Sequence, residues 1–130
     1  MEHPDVATVR RAYRAFTNGD MAALGTMIAD DAVDHVPGSS QLAGDHRGKD
    51  AIFAYFAKLG QLTDGTLQVD LQQLMGDGHG HVVGVQRNTA RRDGRRLDQM
   101  EAIVFTLREG KITDIREYEE DIDVANEFWR

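Results

Sequence analysis

The apolar positions change period partway along the chain. Over residues 5–18, Val6, Val9, Tyr13 and Phe16 recur at helical spacing, with Arg10, Arg11 and Arg14 mostly on other faces. Asn18-Gly19 ends this helix, and Asp20 is placed to cap a second by accepting from its free backbone N–H groups. The second helix is short, with Leu24, Met27 and Ile28 as its stripe and Asp30-Asp31 closing it. A third runs from about Lys49 to Leu59, where Ile52, Phe53, Tyr55, Phe56 and Leu59 give a wide apolar face and Gly60 a C-terminal stop. From Asp64-Gly65 onward the period is two. Leu67, Val69 and Leu71 alternate with Gln68, Asp70 and Gln72, and Met75 to Gly78 reads as a turn. Strands follow at His79 to Ala90, Leu97 to Arg108 and Lys111 to Glu119, separated by Arg91 to Gly94 and by Glu109-Gly110. Four strands joined by short turns predict an antiparallel meander.

Between the helical and alternating halves lies Asp31 to Gly48, with the only interior proline and two of the five histidines. Val33 to Val36 reads as a strand, stopped by Pro37-Gly38 because proline has no N–H for the ladder. Ser39 to Gly48 reads as loop. A strand set apart in this way belongs at the mouth of a cavity, and loops on a rigid scaffold commonly carry binding groups. Helices gathered on one side of an antiparallel sheet define an α+β layer fold. No repeat or linker interrupts the chain, so residues 1–130 are expected to form one domain. In the tail, Glu120 to Arg130, Phe128 and Trp129 either pack on the domain's own surface or close a pocket or meet a partner subunit.

Composition narrows the classes. At 41% hydrophobic and 28% charged the chain can bury a core, and no apolar run is long enough to span a bilayer. The acidic start, MEHPD, has no apolar segment of the signal-peptide kind, and the expected compartment is the cytoplasm. Without cysteine there is no disulfide, thiolate nucleophile or thiolate metal site. The net charge of −7 argues against nucleic acid, and Arg91, Arg92, Arg95 and Arg96 bracket Asp93-Gly94 as a solvated hairpin tip.

Several strings carry a resemblance: Tyr13 to Asp20 (YRAFTNGD), Asp30 to Val33, His35 to Gly38, Gly44 to Gly48 (GDHRG), Glu109 to Ile112, Arg116-Glu117-Tyr118 and the final Phe128-Trp129. With the order of elements, they resemble the SnoaL-like branch of the nuclear transport factor 2-like superfamily, which also holds ketosteroid isomerase and limonene-epoxide hydrolase. The resemblance covers nearly the whole chain. It implies a cystatin-like cone, a curved sheet wrapped around the N-terminal helices over an apolar cavity. It also implies a homodimer through the outer sheet face. Met100 to Leu107 (MEAIVFTL), apolar on both faces, is compatible with that. Members include isomerases, cyclases, hydrolases and proteins that only bind or assemble, so function has to be argued at the site.

The expected occupant is a small hydrophobic or polyketide-like molecule, and the expected chemistry acid–base, with no cofactor or metal. His35, at a strand end beside a proline-stopped loop, is a candidate acid or base. Asp34 should point the other way, so only one of the two faces the cavity. Glu101 shares a strand face with Ile103, Phe105 and Leu107, a setting that raises a carboxyl pKa. Glu117 matches the catalytic acid that the resemblance to limonene-epoxide hydrolase implies in Arg116-Glu117-Tyr118. The Arg-x-Asp pair of that enzyme is replaced here by Gln99-Met100-Glu101, with Arg87 a possible substitute from the neighbouring strand. Against ketosteroid isomerase, its base and oxyanion residues fall on Val36, Ala12 and Ala102. Tyr13, Phe16, Tyr55 and Phe56 are expected at the cavity wall or in the core. His79-Gly80-His81 offers two imidazoles without a third ligand in reach, and His46 lies in a polar loop.

Overall fold

The computed structural model describes residues 2–130. Helix α1 (Pro4–Thr17) starts on a proline, whose missing N–H costs nothing in a first turn. Helix α2 (Met21–Met27) is capped by Asp20, which accepts from Ala23 N–H at 3.0 Å. It ends one residue earlier than its apolar stripe suggests. Ile28, fully buried and opposite Ile112, already belongs to β1 (Ile28–Val36), and Asp30 and Asp31 lie inside that strand where its register shifts.

The predicted loop after Pro37 contains a strand of its own. β2 (Gly44–Arg47) pairs antiparallel with Val33 to Val36, placing His46 opposite Asp34. It lies at one edge of the sheet and buries none of its four residues, so no apolar alternation marks it. Helix α3 (Lys49–Leu62) runs through Gly60 and stops at Thr63, whose hydroxyl donates back to the Leu59 carbonyl at 2.8 Å.

The meander is present as β3 (Gln68–Gly76), β4 (His81–Arg92), β5 (Arg95–Arg108) and β6 (Lys111–Glu119). Met75 and Gly76 extend β3 into the predicted turn, and β4 begins at His81 rather than His79. One six-stranded curved sheet results, in the order β2-β1-β6-β5-β4-β3, with β1 parallel to β6 and every other pair antiparallel. The tail is helical. Asp121 caps α4 (Ile122–Trp129) by accepting from the N–H groups of Asp123 and Val124. Ala125, Phe128 and Trp129 then pack on Leu42, Tyr55, Leu59 and Leu97. Among the described residues no helix is long and apolar enough to cross a membrane.

The core divides in two. One part sits between α1, α2 and the sheet around Val9, Ile28, Ile52, Val82 and Ile112. The other lies under α4. The cavity opens between them.

Candidate active site

Strand alternation decides what faces the concave side. Inward positions are Asp34 on β1, Gln86 and Asn88 on β4, Glu101 on β5, and Glu117 and Glu119 on β6. The helices roof them with Tyr13 and Phe16 from α1, Tyr55 and Phe56 from α3 and Trp129 from α4. A mostly apolar cavity of about 110 Å³ remains.

A polar belt crosses it. Tyr13 Oη donates to Gln86 Oε1 at 2.7 Å. Gln86 Nε2 donates to Asn88 Oδ1 at 2.8 Å and to Glu101 Oε1 at 3.2 Å, and Asn88 Nδ2 reaches the same carboxylate oxygen at 3.4 Å. Tyr55 Oη donates to Glu117 Oε1 at 3.1 Å, and Gln99 Nε2 to Glu119 Oε2 at 2.9 Å. Glu101 and Glu119 are direct cross-strand partners. Oxygens of Glu101, Glu117 and Glu119 lie within 4.8 Å of one another, the one group of three potential metal ligands among the described residues. Every donor into the belt is neutral.

Asp34 is the exception to this satisfaction. It is 1% exposed, no amide, hydroxyl or cation reaches either carboxyl oxygen, and its side-chain neighbour is another acid, Glu117. A buried carboxylate without donors is costly, so burial pushes its pKa up. Burial likewise raises Glu117 far above the usual range, helped by the charges of Glu101 and Asp34. Glu101 is raised by burial and by its neighbour Glu119. Burial and the nearby acids raise the hydroxyls of Tyr55 and Tyr13, which stay donors. His46, on the inner side of β2, stacks on Tyr55 with ring centroids 4.5 Å apart, and its Nε2 bonds the Leu42 carbonyl at 2.8 Å.

The expected residues divide by side of the sheet. Tyr13, Phe16, Asp34, Tyr55, Phe56, Glu101 and Glu117 meet at the cavity. His35 does not. It lies on the opposite face, its Nδ1 2.7 Å from Asp45 and its Nε2 2.7 Å from Asp114. Arg87 also points outward, held bidentate by Asp98 at 2.8 and 2.6 Å, so it does not stand in for the missing arginine. Gln99 faces inward but is spent on Glu119 and on the Asp121 N–H. His81 Nδ1 is engaged by Asp77 at 2.9 Å. Sequence reasoning missed Gln86, Asn88 and Glu119. A usable signal existed: two amides on the inward face of β4 lie opposite the stretch of β5 that carries Glu101.

Comparison with known proteins agrees with this architecture. The SnoaL-like domain family matches residues 9–115. An uncharacterized protein of Mycobacterium tuberculosis is 38% identical over 125 residues, covering 96% of this chain and 95% of the relative. Bal32a, from a soil-derived mobile gene cassette, is 43% identical, covers 98% of this chain and 97% of its own, and superposes with a TM-score of 0.95. A nuclear transport factor 2-like protein from Burkholderia xenovorans is 25% identical, with 100% and 98% coverage and a TM-score of 0.85. On the family match and these identities, the chain belongs to the SnoaL-like branch of the nuclear transport factor 2-like superfamily.

Proposed function

We propose that the protein binds a small, largely apolar molecule in this cavity and moves a proton on it, without a cofactor. Asp34 serves as base, and Glu117, or its neighbour Glu101, as acid. The observation that carries this reading is the buried Asp34 carboxyl, held by no amide, hydroxyl or cation and facing the Glu117 acid and Tyr55 in a mostly apolar chamber. Groups that share one cavity but differ in how strongly it disfavours their charge divide acid and base roles. Burial raises all three carboxyls, and the contact between Asp34 and Glu117 favours the charged form of Asp34 and the protonated form of Glu117. His35, on the outer face, has no part in the chemistry.

The reaction class follows from that division. With an enolisable ketone, Asp34 takes the α-proton while Glu117 gives its proton to the carbonyl oxygen. Return of a proton at another carbon isomerises the substrate. With an epoxide, Glu117 protonates the oxygen as Asp34 takes the proton of an attacking water. A volume of about 110 Å³ is nearer the roughly 150 Å³ that accepts benzene in an engineered core than the space a fused-ring polyketide needs. It also leaves room that a module filled by its own aromatics would lack. A second copy is proposed to cover the outer face, where Val83, Val85, Ala102 and Val104 are half-exposed. Sedimentation velocity tests this point.

The test of the chemistry is proton exchange. Small cyclic ketones and enones, incubated with the protein in D₂O, are followed by NMR for loss of the α-proton signal. Exchange should be catalysed by the wild type and fall by about 100-fold or more in Asp34→Asn. Absence of catalysed exchange, together with no opening of small epoxides, would leave a binding protein. Exchange untouched by Asp34→Asn would remove Asp34 from the mechanism.

A further inference from the structure

The cavity wall holds four carboxyl groups, from Asp34, Glu101, Glu117 and Glu119, and no lysine or arginine; His46, behind Tyr55, is engaged by the Leu42 carbonyl. We propose that its occupant is a small apolar molecule carrying a protonated nitrogen, an ammonium group seated among Glu101, Glu117 and Glu119 with its hydrocarbon body against the aromatic wall. This rests on the reading of the cavity as a small-molecule site and names the class of molecule.

Three features point the same way. The acids are positioned without a lysine or arginine to pair with them. Amides and a tyrosine hydroxyl hold one oxygen each of Glu101, Glu117 and Glu119, while the cluster stays within 4.8 Å. That fixes the carboxyl groups and leaves them free to ionise against an arriving cation, as outer-shell partners do around a bound cation. Independently, Asp34 is sealed in the same cavity with no amide, hydroxyl or cation on either oxygen and only another acid, Glu117, beside it. An anionic ligand would find no cationic partner here and would oppose ionisation of the acids, and a neutral one would leave the acid excess unexplained. Finally, Tyr13, Phe16, Tyr55, Phe56 and Trp129 supply ring faces and edges, and a desolvated cation is attracted to ring faces. A divalent metal would answer the carboxylates alone. Hard cations keep part of their water shell, which these apolar walls do not hydrogen-bond.

Protonation then couples to binding. The titratable groups facing the cavity are Asp34 from β1, His46 from β2, Glu101 from β5, Glu117 and Glu119 from β6, Tyr13 from α1 and Tyr55 from α3. Asp34, Glu101 and Glu117 hold their protons above the usual carboxyl range. An arriving ammonium favours their ionised forms and expels protons. Its affinity therefore rises with pH, whereas that of a neutral isostere does not.

The experiment titrates the full chain with benzylamine, benzyl alcohol and MgCl₂ in parallel and reads the fluorescence of Trp129, the only tryptophan, which lines the cavity. At about pH 8, where the amine is still cationic, benzylamine should bind at least about tenfold tighter than benzyl alcohol, a difference of about 1.4 kcal/mol. The preference should shrink towards about pH 5 and disappear in Glu101→Gln. Glu119→Gln, at a half-exposed position where folding is less at risk, should reduce it as well. Benzyl alcohol binding as tightly as the amine, or a preference indifferent to both variants, overturns the ammonium assignment and leaves the small-molecule reading standing. Binding of neither aromatic sinks both. Magnesium displacing benzylamine, with its own binding lost in the same variants, reassigns the cluster to a metal and also overturns the proposal.

Discussion

Asp34 and His35 are adjacent on β1 and face opposite sides of the sheet: the Asp34 carboxyl is sealed in the cavity against another acid, Glu117, while the His35 ring is bridged between Asp45 and Asp114 outside. The period of a strand alone separates them. One residue leaves a destabilising group inside the cavity; its neighbour ties together the β2-β1-β6 edge of the sheet.

Replacing Asp34 with Asn should stabilise the protein. Its folded pKa lies above the unfolded value, so the native state keeps this proton to higher pH. The stability it provides is whole below the unfolded carboxyl value of about 4 and is lost as pH rises through the folded value. The Asn variant should therefore match wild type at about pH 3 and exceed it by about 1–3 kcal/mol at about pH 8. Urea midpoints across this range check the sign. A variant weaker at every pH would mean that Asp34 has a stabilising partner.

His35 should behave in the reverse sense relative to its replacement. Burial pulls its pKa down, but the two carboxylates at 2.7 Å outweigh that and the pKa is raised. The stability contributed by its charge is complete below the unfolded histidine value of about 6.5 and is lost as pH rises through the folded value. His35→Gln should thus lower the melting temperature more at about pH 5.5 than at about pH 9. Activity on any cavity substrate should be retained. A variant that folds normally but loses catalysis would put His35 back in the mechanism.

Much of this fold was legible because apolar residues alternate along β3 to β6 and short turns join them. β2 was not, because Gly44-Asp45-His46-Arg47 offers no buried side to read. α4 was obscured by its length of eight residues and by Asp123 and Glu127, although Phe128 and Trp129 signalled burial. At the site, Glu101 was recognisable as an acid on an apolar face. Which of Asp34 and His35 turned inward was not, since a run of Val-Asp-His-Val is symmetric in hydropathy. Only pairing with β2 and β6 fixes the choice.

Gly84 should be intolerant of any side chain for the sake of the ligand. A Cβ there would run into the Tyr13 hydroxyl and ring. Gly84→Ala should push Tyr13 off Gln86 and into the cavity, weakening ligand affinity by about tenfold, the equivalent of about one hydrogen bond. Circular dichroism should show the fold intact. Unchanged affinity would mean that Tyr13 does not set the shape of the chamber.

Trp129 should matter to stability as well as to binding. It is 7% exposed, stands edge-on to Phe128 at 4.7 Å, and its carbonyl accepts from Gln41 Nε2 at 3.0 Å. Trp129→Ala should cost about 3–5 kcal/mol in urea unfolding. A loss under about 1 kcal/mol would place the last helix among elements that open without consequence for the core.

The parallel pairing of β1 with β6 also sets an order of events in folding. The meander closes hairpin by hairpin through local contacts, whereas β1 must find a partner more than half the chain away. Such distant pairings carry the largest loop-closure cost and form late. Asp34 and Glu117 are therefore expected to confront each other only after the rate-limiting barrier. Neutralising Asp34 should slow unfolding and leave the refolding rate nearly unchanged, which stopped-flow kinetics would show directly.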